Sequence, residues 1–199
     1  MRLMKPGVVV VVLIALARSA QGDCTKDADE LRTALTVEGH KAHRWNTTWA
    51  WIYTGAAVVT ATIGVVDPVH RLQAGMYVSA GKAAIAGAGR WVLPLEARVP
   101  DPTGDACADL ALLHRELARL GKKERGAFWT NHLGGIVLNV VGGYIVYHYS
   151  GTSEAALSVG GGMAVGLVST YTMPRDGWHM WRDTTIVVQP NGIALAGQF

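Results

Sequence analysis

Long uncharged stretches studded with glycine constrain this chain more than any other feature. They run from Trp45 to Val66, from Ala83 to Gly89 with a backward extension past Lys82 to Leu72, from Gly126 to Tyr147, and from Ala155 to Pro174. A helix that crosses a bilayer needs about 20 mostly apolar residues. Two of the stretches reach that length, a third just does, and one carries Lys82 in its middle. Such segments bury themselves in a core, pack against one another, or meet lipid.

Prolines divide the stretches into two hairpins. The first is a helix from about Trp45 to Val66, stopped by Asp67-Pro68, and a second from about His70 to Leu93, closed by Pro94. Proline cannot continue a helix interior because it lacks the N–H and its ring clashes with the preceding turn. The second hairpin runs from Gly126 to Tyr149, turns at Ser150-Gly151-Thr152, and returns from Glu154 to Met173 before Pro174. An amphipathic helix is expected before each: Asp23 to His43, with Leu31, Ala34, Leu35 and Ala42 at helical spacing, and Asp105 to Arg125, with Leu110, Leu113, Leu117 and Leu120 on one face. Shifted by about 80 positions, the two halves share this order, as an internal repeat would. The β-branched run Thr184 to Val188, the turn signal Pro190-Asn191-Gly192 and the alternation to Phe199 predict a C-terminal β-hairpin. The fold class expected is therefore mainly α: two glycine-rich helical hairpins in a four-helix, transmembrane bundle, two flanking amphipathic helices and the β-hairpin. The segments are 1–22, 23–100, 101–180 and 181–199.

Residues 1–22 read as an export signal. Arg2 and Lys5 precede the apolar run Val8 to Ala17, and Ala20 and Gly22 offer small residues for cleavage before Asp23. Export exposes Cys24 and Cys107, the two cysteines of the chain, to an oxidising compartment, where a single disulfide is expected. The net charge of +3 and the scattered basic residues give no footprint for nucleic acid. Lys122, Lys123 and Arg125 form one basic cluster, which suits a solvated helix end or anionic lipid headgroups.

Lys82 is the intramembrane charge candidate. A charge near mid-bilayer costs about 2.5–3.5 kcal/mol on insertion scales, so it needs a partner or water. Asn139, Thr60, Thr62, helix-end carbonyls or an anionic ligand are the partners on offer. Gly75, Gly81, Gly135, Gly142, Gly143, Gly161, Gly162 and Gly166 are read as helix-packing positions, with Gly162 and Gly166 in small-xxx-small spacing. His40 and His43 share a helix face but lack a third ligand, and no zinc-protease, CxxC or phosphate-loop motif is present. No catalytic residue, metal ligand or cofactor is expected. Trp45, Trp49, Trp51, Trp91 and Trp129, with Tyr147 and Tyr149, sit at the ends of the apolar stretches, where amphipathic rings favour the headgroup layer.

The glycine-rich hairpins and the ending Gly192-Ile193-Ala194-Leu195-Ala196-Gly197-Gln198-Phe199 resemble uncharacterised exported proteins of Gram-negative bacteria. The resemblance implies no activity. The expected protein is an exported, membrane-embedded component of the cell envelope, in the inner rather than the outer membrane, with a structural or interaction role. Its partners are the lipid bilayer and a second copy or another envelope protein. A small oligomeric pore or transporter-like element, and a soluble exported bundle, are the alternatives. One conflict stands: with the signal removed, the basic linker side lies outside the cytoplasm, against the positive-inside rule.

Overall fold

The computed structural model describes the backbone of residues 6–67, 70–183, 185–189 and 192–196, with side chains over 24–67 and 72–183. The chain is mainly helical. In order come α1 (Pro6–Val66), α2 (His70–Val92), α3 (Ala106–Ser150), α4 (Thr152–Tyr171), α5 (Asp176–Asp183), β1 (Thr185–Gln189) and β2 (Gly192–Ala196). β1 pairs antiparallel with β2, with Val187 opposite Ala194. Residues 1–5, Pro68, the Pro190-Asn191 turn and the terminal Gly197 to Phe199 lie outside the described residues.

The element boundaries correct the sequence reading. Each amphipathic segment and the apolar segment after it form one helix. α1 runs unbroken through Asp23 and Trp45, and α3 through Gly126. The reason is local: residues 43–46 contain no proline or glycine, and a lone glycine such as Gly126 costs a helix only about 1 kcal/mol. α5 was not expected at all. α4 ends at Tyr171, two residues before the predicted end, and Asp176 opens the new helix.

α1 and α3 run side by side in the same direction through their polar halves. The Cys24–Cys107 disulfide joins their starts, with Cα atoms 5.1 Å apart. Leu31 and Leu35 of α1 meet Leu113, Leu117 and Leu120 of α3, all essentially fully buried, in a core completed by Trp45, Leu95, Phe128 and Met173. Burying each of these leucines contributes about 1.5–3 kcal/mol. This polar-surfaced region is called the head below. Asp105 caps α3, accepting hydrogen bonds from the N–H groups of Cys107 and Ala108 at 2.9 and 3.2 Å.

The irregular linker between α2 and α3 threads through the head. Lys123 Nζ donates to the Pro94 carbonyl at 2.8 Å, Arg119 to that of Glu96 at 2.9 Å, Asn46 to that of Leu95, and Arg32 to that of Pro100. In return the Arg98 N–H donates to Glu116, and the Thr103 N–H to Asp109 at 2.8 Å.

Beyond the head the helices change character. α2 returns along α1, with Gly64 against Met76 and Tyr77, and Gly87 against Tyr53 and Thr54. α4 returns along α3, with Gly143 against Val159. α2 and α3 are also in contact, Gly142 lying against Val78 and Gly75 facing Val146. Gly151 turns α3 into α4 at φ 99°, a left-handed conformation that favours glycine. Here, unlike in the head, the large apolar side chains face outward: Ile52, Val58 and Val59 on α1, Ile85 on α2, Val137 and Val140 on α3, and Leu157 and Val168 on α4 are exposed.

The glycines predicted to pack divide into two sets. A Cβ at Gly142 would come within 2.9 Å of Lys82, at Gly143 within 2.1 Å of Val159, and at Gly162 within 1.8 Å of Asn139. Gly75 has ordinary room, and a Cβ at Gly81, Gly135, Gly161 or Gly166 would meet nothing within 4 Å. Gly162 and Gly166 therefore do not share one interface within the chain, despite their spacing. Alanine at Gly142, Gly143 or Gly162 is expected to cost about 1–3 kcal/mol through overpacking. Alanine at Gly135, Gly161 or Gly166 is expected to be neutral or to stabilise by up to about 1 kcal/mol through helix propensity. Denaturant unfolding in a mild detergent, followed by circular dichroism, separates the two sets.

Candidate functional site

Two polar centres stand out, one among the apolar helices and one in the head. The first forms around Lys82, midway along α2. Its ammonium donates to Asn139 Oδ1 of α3 at 3.1 Å, and to the carbonyl and hydroxyl oxygens of Ser158 of α4 at 2.9 and 3.0 Å. An ammonium carries three N–H donors, so this set saturates it. Asn139 is itself buried and donates its amide to the Gly135 carbonyl at 2.8 Å. Gly142 makes room for the Lys82 stem, and Gly162 makes room for both Asn139 Oδ1 and the Lys82 Nζ, which would lie 3.2 Å from a Cβ there. Asn139 was among the partners considered from sequence; Ser158 was not. Thr60 and Thr62 instead return their hydroxyls to carbonyls of their own helix. A serine within an apolar stretch and a small-residue socket on another helix give no sequence signal, because their meaning depends on which helices touch.

The second centre is a set of carboxyls beneath the start of α5. Glu38 of α1 and Glu124 of α3 are almost completely buried. α5 crosses α3 where both helices carry glycine: a Cβ at Gly121 would meet Trp181 at 2.7 Å, and one at Gly177 would meet Glu124 at 2.7 Å. This close approach brings the Glu124 carboxyl onto the free N–H groups that begin α5, those of Gly177 and Trp178. Glu124 thus caps α5 from a neighbouring helix. Lys41 bridges Glu38, at 3.4 Å, and Asp176, to which it donates a short hydrogen bond. Asp176 lies close enough to Glu38 to raise it further.

Burial is the leading cause of the electrostatics here. It pushes the Glu124 carboxyl up to about 8, against the opposing pull of the Trp178 N–H, and the nearby Glu38 and Asp176 charges add to the rise. Glu38 is raised as well, first by burial and then by Asp176. Asp176 is lowered, chiefly by its hydrogen bond from Lys41. Two of the carboxyls, Glu38 and Asp176, share the Lys41 ammonium, and Glu124 has no such cation, so its raised value keeps it mainly protonated at neutral pH. One oxygen each of Glu38 and Glu124 has no hydrogen-bond partner.

The Lys82 donors are all engaged. His40 and His43 are exposed on α1. Among the described residues no group of three or more histidine, cysteine, aspartate or glutamate side chains is placed to hold a metal ion. The burial of these acids was not legible in the sequence because Glu38 and Glu124 look like ordinary charges on the polar faces of their helices; α5 docks against Glu124 and brings Asp176 to the Lys41 that pairs with Glu38.

No protein-family model, curated protein or solved structure matches this chain.

The raised Glu124 makes stability fall as pH rises from about 4.5 to 8. Its folded value of about 8 exceeds its ordinary value of 4.5. Its contribution is therefore complete below about pH 4.5 and is lost as pH rises through 8. The loss reaches at most about 5 kcal/mol, at 1.36 kcal/mol per unit. Glu124→Gln keeps an acceptor for the α5 N–H groups but cannot ionise. It is expected to flatten the decline between about pH 5 and 8 in denaturant titrations. An unchanged slope over that range in E124Q contradicts this assignment.

Proposed function

We propose that this chain is an exported integral membrane protein of the cell envelope. In this reading the apolar parts of α1 and α3, with α2 and α4, form a membrane-embedded four-helix bundle beneath the disulfide-closed head. Its role is structural or adhesive: it anchors and presents the head, or packs against another envelope protein.

The observation that carries the reading is a pair of exposed aromatic belts. Near the head lie Trp51, Trp91, Trp129 and Tyr171; at the far end lie Tyr147 and Tyr149. On α3, Trp129 and Tyr149 are twenty residues apart, about 30 Å at 1.5 Å per residue. That matches the hydrocarbon thickness of a bilayer, about 30 Å. Amphipathic rings settle at the two headgroup layers, with aliphatic side chains between. The band between these belts exposes Val137, Val140, Ile85 and Leu157, the last at 77% of its surface. By length and composition alone, one described helix, Cys24–Val66, is apolar enough to cross a membrane, and 22% of its most apolar window is buried. The core helix of a soluble protein would be mostly buried. α4 with α5, bent by 52° at their break, meets the same test as one broken span.

Lys82 fits this embedding without a pore. Its three acceptors come from α3 and α4 of the same chain, so the charge is met inside the bundle. The disulfide favours a head on the oxidising side of the membrane. The basic residues of the head do not overrule this. Many are tied into the fold, as Arg119 is to Glu116 and Arg32 to Asp109, and the positive-inside bias weighs short loops more than translocated domains. Helical spans suit the inner membrane better than the outer, whose spanning proteins are barrels.

Alkaline carbonate extraction of membranes, followed by detergent fractionation, tests the embedding. The protein is expected to stay with the membranes and to need detergent for solubility. Recovery as a monomer in buffer alone overturns the reading. Cys24→Ser is expected to lower stability by about 4–5 kcal/mol, from the loop entropy of a closure spanning 83 residues. Unfolding of C24S beside the oxidised protein measures it, and equal midpoints contradict it.

A further inference from the structure

A groove of about 560 Å³ opens where α5 crosses α3, lined by Arg125, Trp129, Trp178, Trp181 and Arg182. Each helix supplies an arginine and a tryptophan one turn apart: Arg125 and Trp129 on α3, Trp178 and Arg182 on α5. We propose that this groove binds the phosphate headgroup of an anionic phospholipid at the rim of the embedded helices. The proposal rests on the membrane-embedded reading above.

The position, the charge and the shape agree on this ligand. Trp129 belongs to the aromatic belt nearest the head, so the groove sits at headgroup depth. Arg125 lies one residue before the apolar stretch begins and has no hydrogen-bond or ion-pair partner among the described residues. Among the described residues Arg182 pairs with Asp183, where both side chains are about 60% exposed, and such pairs contribute little. A third cation, Lys122, lies 6.0 Å from the Trp181 ring. Glu124, the carboxyl nearest in sequence to Arg125, is buried beneath α5, accepts the Trp178 N–H and has its carboxyl raised to about 8, which limits how far it offsets the two arginines. Two guanidinium forks can each meet phosphate oxygens in a bidentate fashion, which a lysine cannot do. The three indole faces then cover the glycerol and the first methylenes of the acyl chains, as tryptophan does at membrane interfaces. Gly121 and Gly177 set the groove by letting α5 approach α3 closely.

Native mass spectrometry of the purified full chain in a neutral detergent tests the site. The probes are phosphatidylglycerol, phosphatidylcholine and inorganic phosphate. One phosphatidylglycerol is expected to be retained at least tenfold more tightly than phosphatidylcholine, with inorganic phosphate failing to displace it at equal concentration. Arg125→Gln combined with Arg182→Gln is expected to abolish that preference. Both residues are on the surface, and an intact disulfide and unchanged helicity verify the fold of the variant. R182Q alone, expected to bind several-fold more weakly, supplies the second reading. Equal retention of the two lipids by the native chain overturns the proposal, as does undiminished preference in the double variant. Displacement by inorganic phosphate alone shows a free-anion site and also overturns it. Flotation with pure phosphatidylcholine vesicles is scored in parallel. Flotation without a phosphatidylglycerol preference removes the groove and leaves the embedding intact; failure to float removes both.

Discussion

Residues 93–105 join the two halves of the chain without forming helix or strand, and they pass through the middle of the head. An irregular segment whose Leu95 is buried and whose neighbours are half-buried needs partners outside itself for the N–H and C=O groups it takes out of water. Here long side chains of α1 and α3 reach the carbonyls of Pro94, Leu95, Glu96 and Pro100, while carboxylates of α3 take N–H groups. The linker thereby lies along both helices as a third element, with Leu95 packed into their shared core. Charged residues that look like a solvated surface in sequence are in fact the fasteners of this element. The register of α1 against α3, and with it the disulfide and the alignment of both hairpins, depends on them.

Much of the helical content was legible because it follows from local rules. The breaks at Val66 and Val92 fall where Asp67-Pro68 and Pro94 place them, and the leucine stripe at Leu113, Leu117 and Leu120 is buried as its spacing implied. The cysteine pair was legible from compartment and count. The fused helices were misread because a change from polar to apolar composition was taken as a boundary, whereas only a broken hydrogen-bond ladder ends a helix. α5 was missed because eight residues with a glycine second carry little intrinsic helix signal. It exists through its contacts: Gly177 against Leu120, and Glu124 on its first N–H groups.

Lys82 and the glycines illustrate the same limit at the candidate site. Composition marked both as unusual, but separately. The structure joins three of them, with Gly142 and Gly162 shaping the socket in which Lys82 meets Asn139 and Ser158. Gly135, Gly161 and Gly166 have no such task within the chain, so one composition signal had two meanings. Pairwise distance across helices, which a single sequence does not carry, separates them.

The parallel run of α1 and α3 has a consequence for how such a chain would enter a bilayer. α1 and α3 both end away from the head, at Val66 and Ser150, and α2 and α4 begin within a few residues, at His70 and Thr152. In the proposed embedding nothing larger than these short connections crosses to the opposite face, and the charges near them in sequence are few: Asp67, Arg71 and Glu154. Each hairpin can therefore insert as a unit from the side on which the head folds, with its backbone hydrogen bonds already closed. The desolvation barrier falls on a handful of polar groups at two tips, and the head stays in water throughout. Topogenesis then becomes a matter of the order of events: a head locked by its disulfide before insertion fixes the spacing of the two hairpins, and one locked afterwards must find that spacing within the membrane.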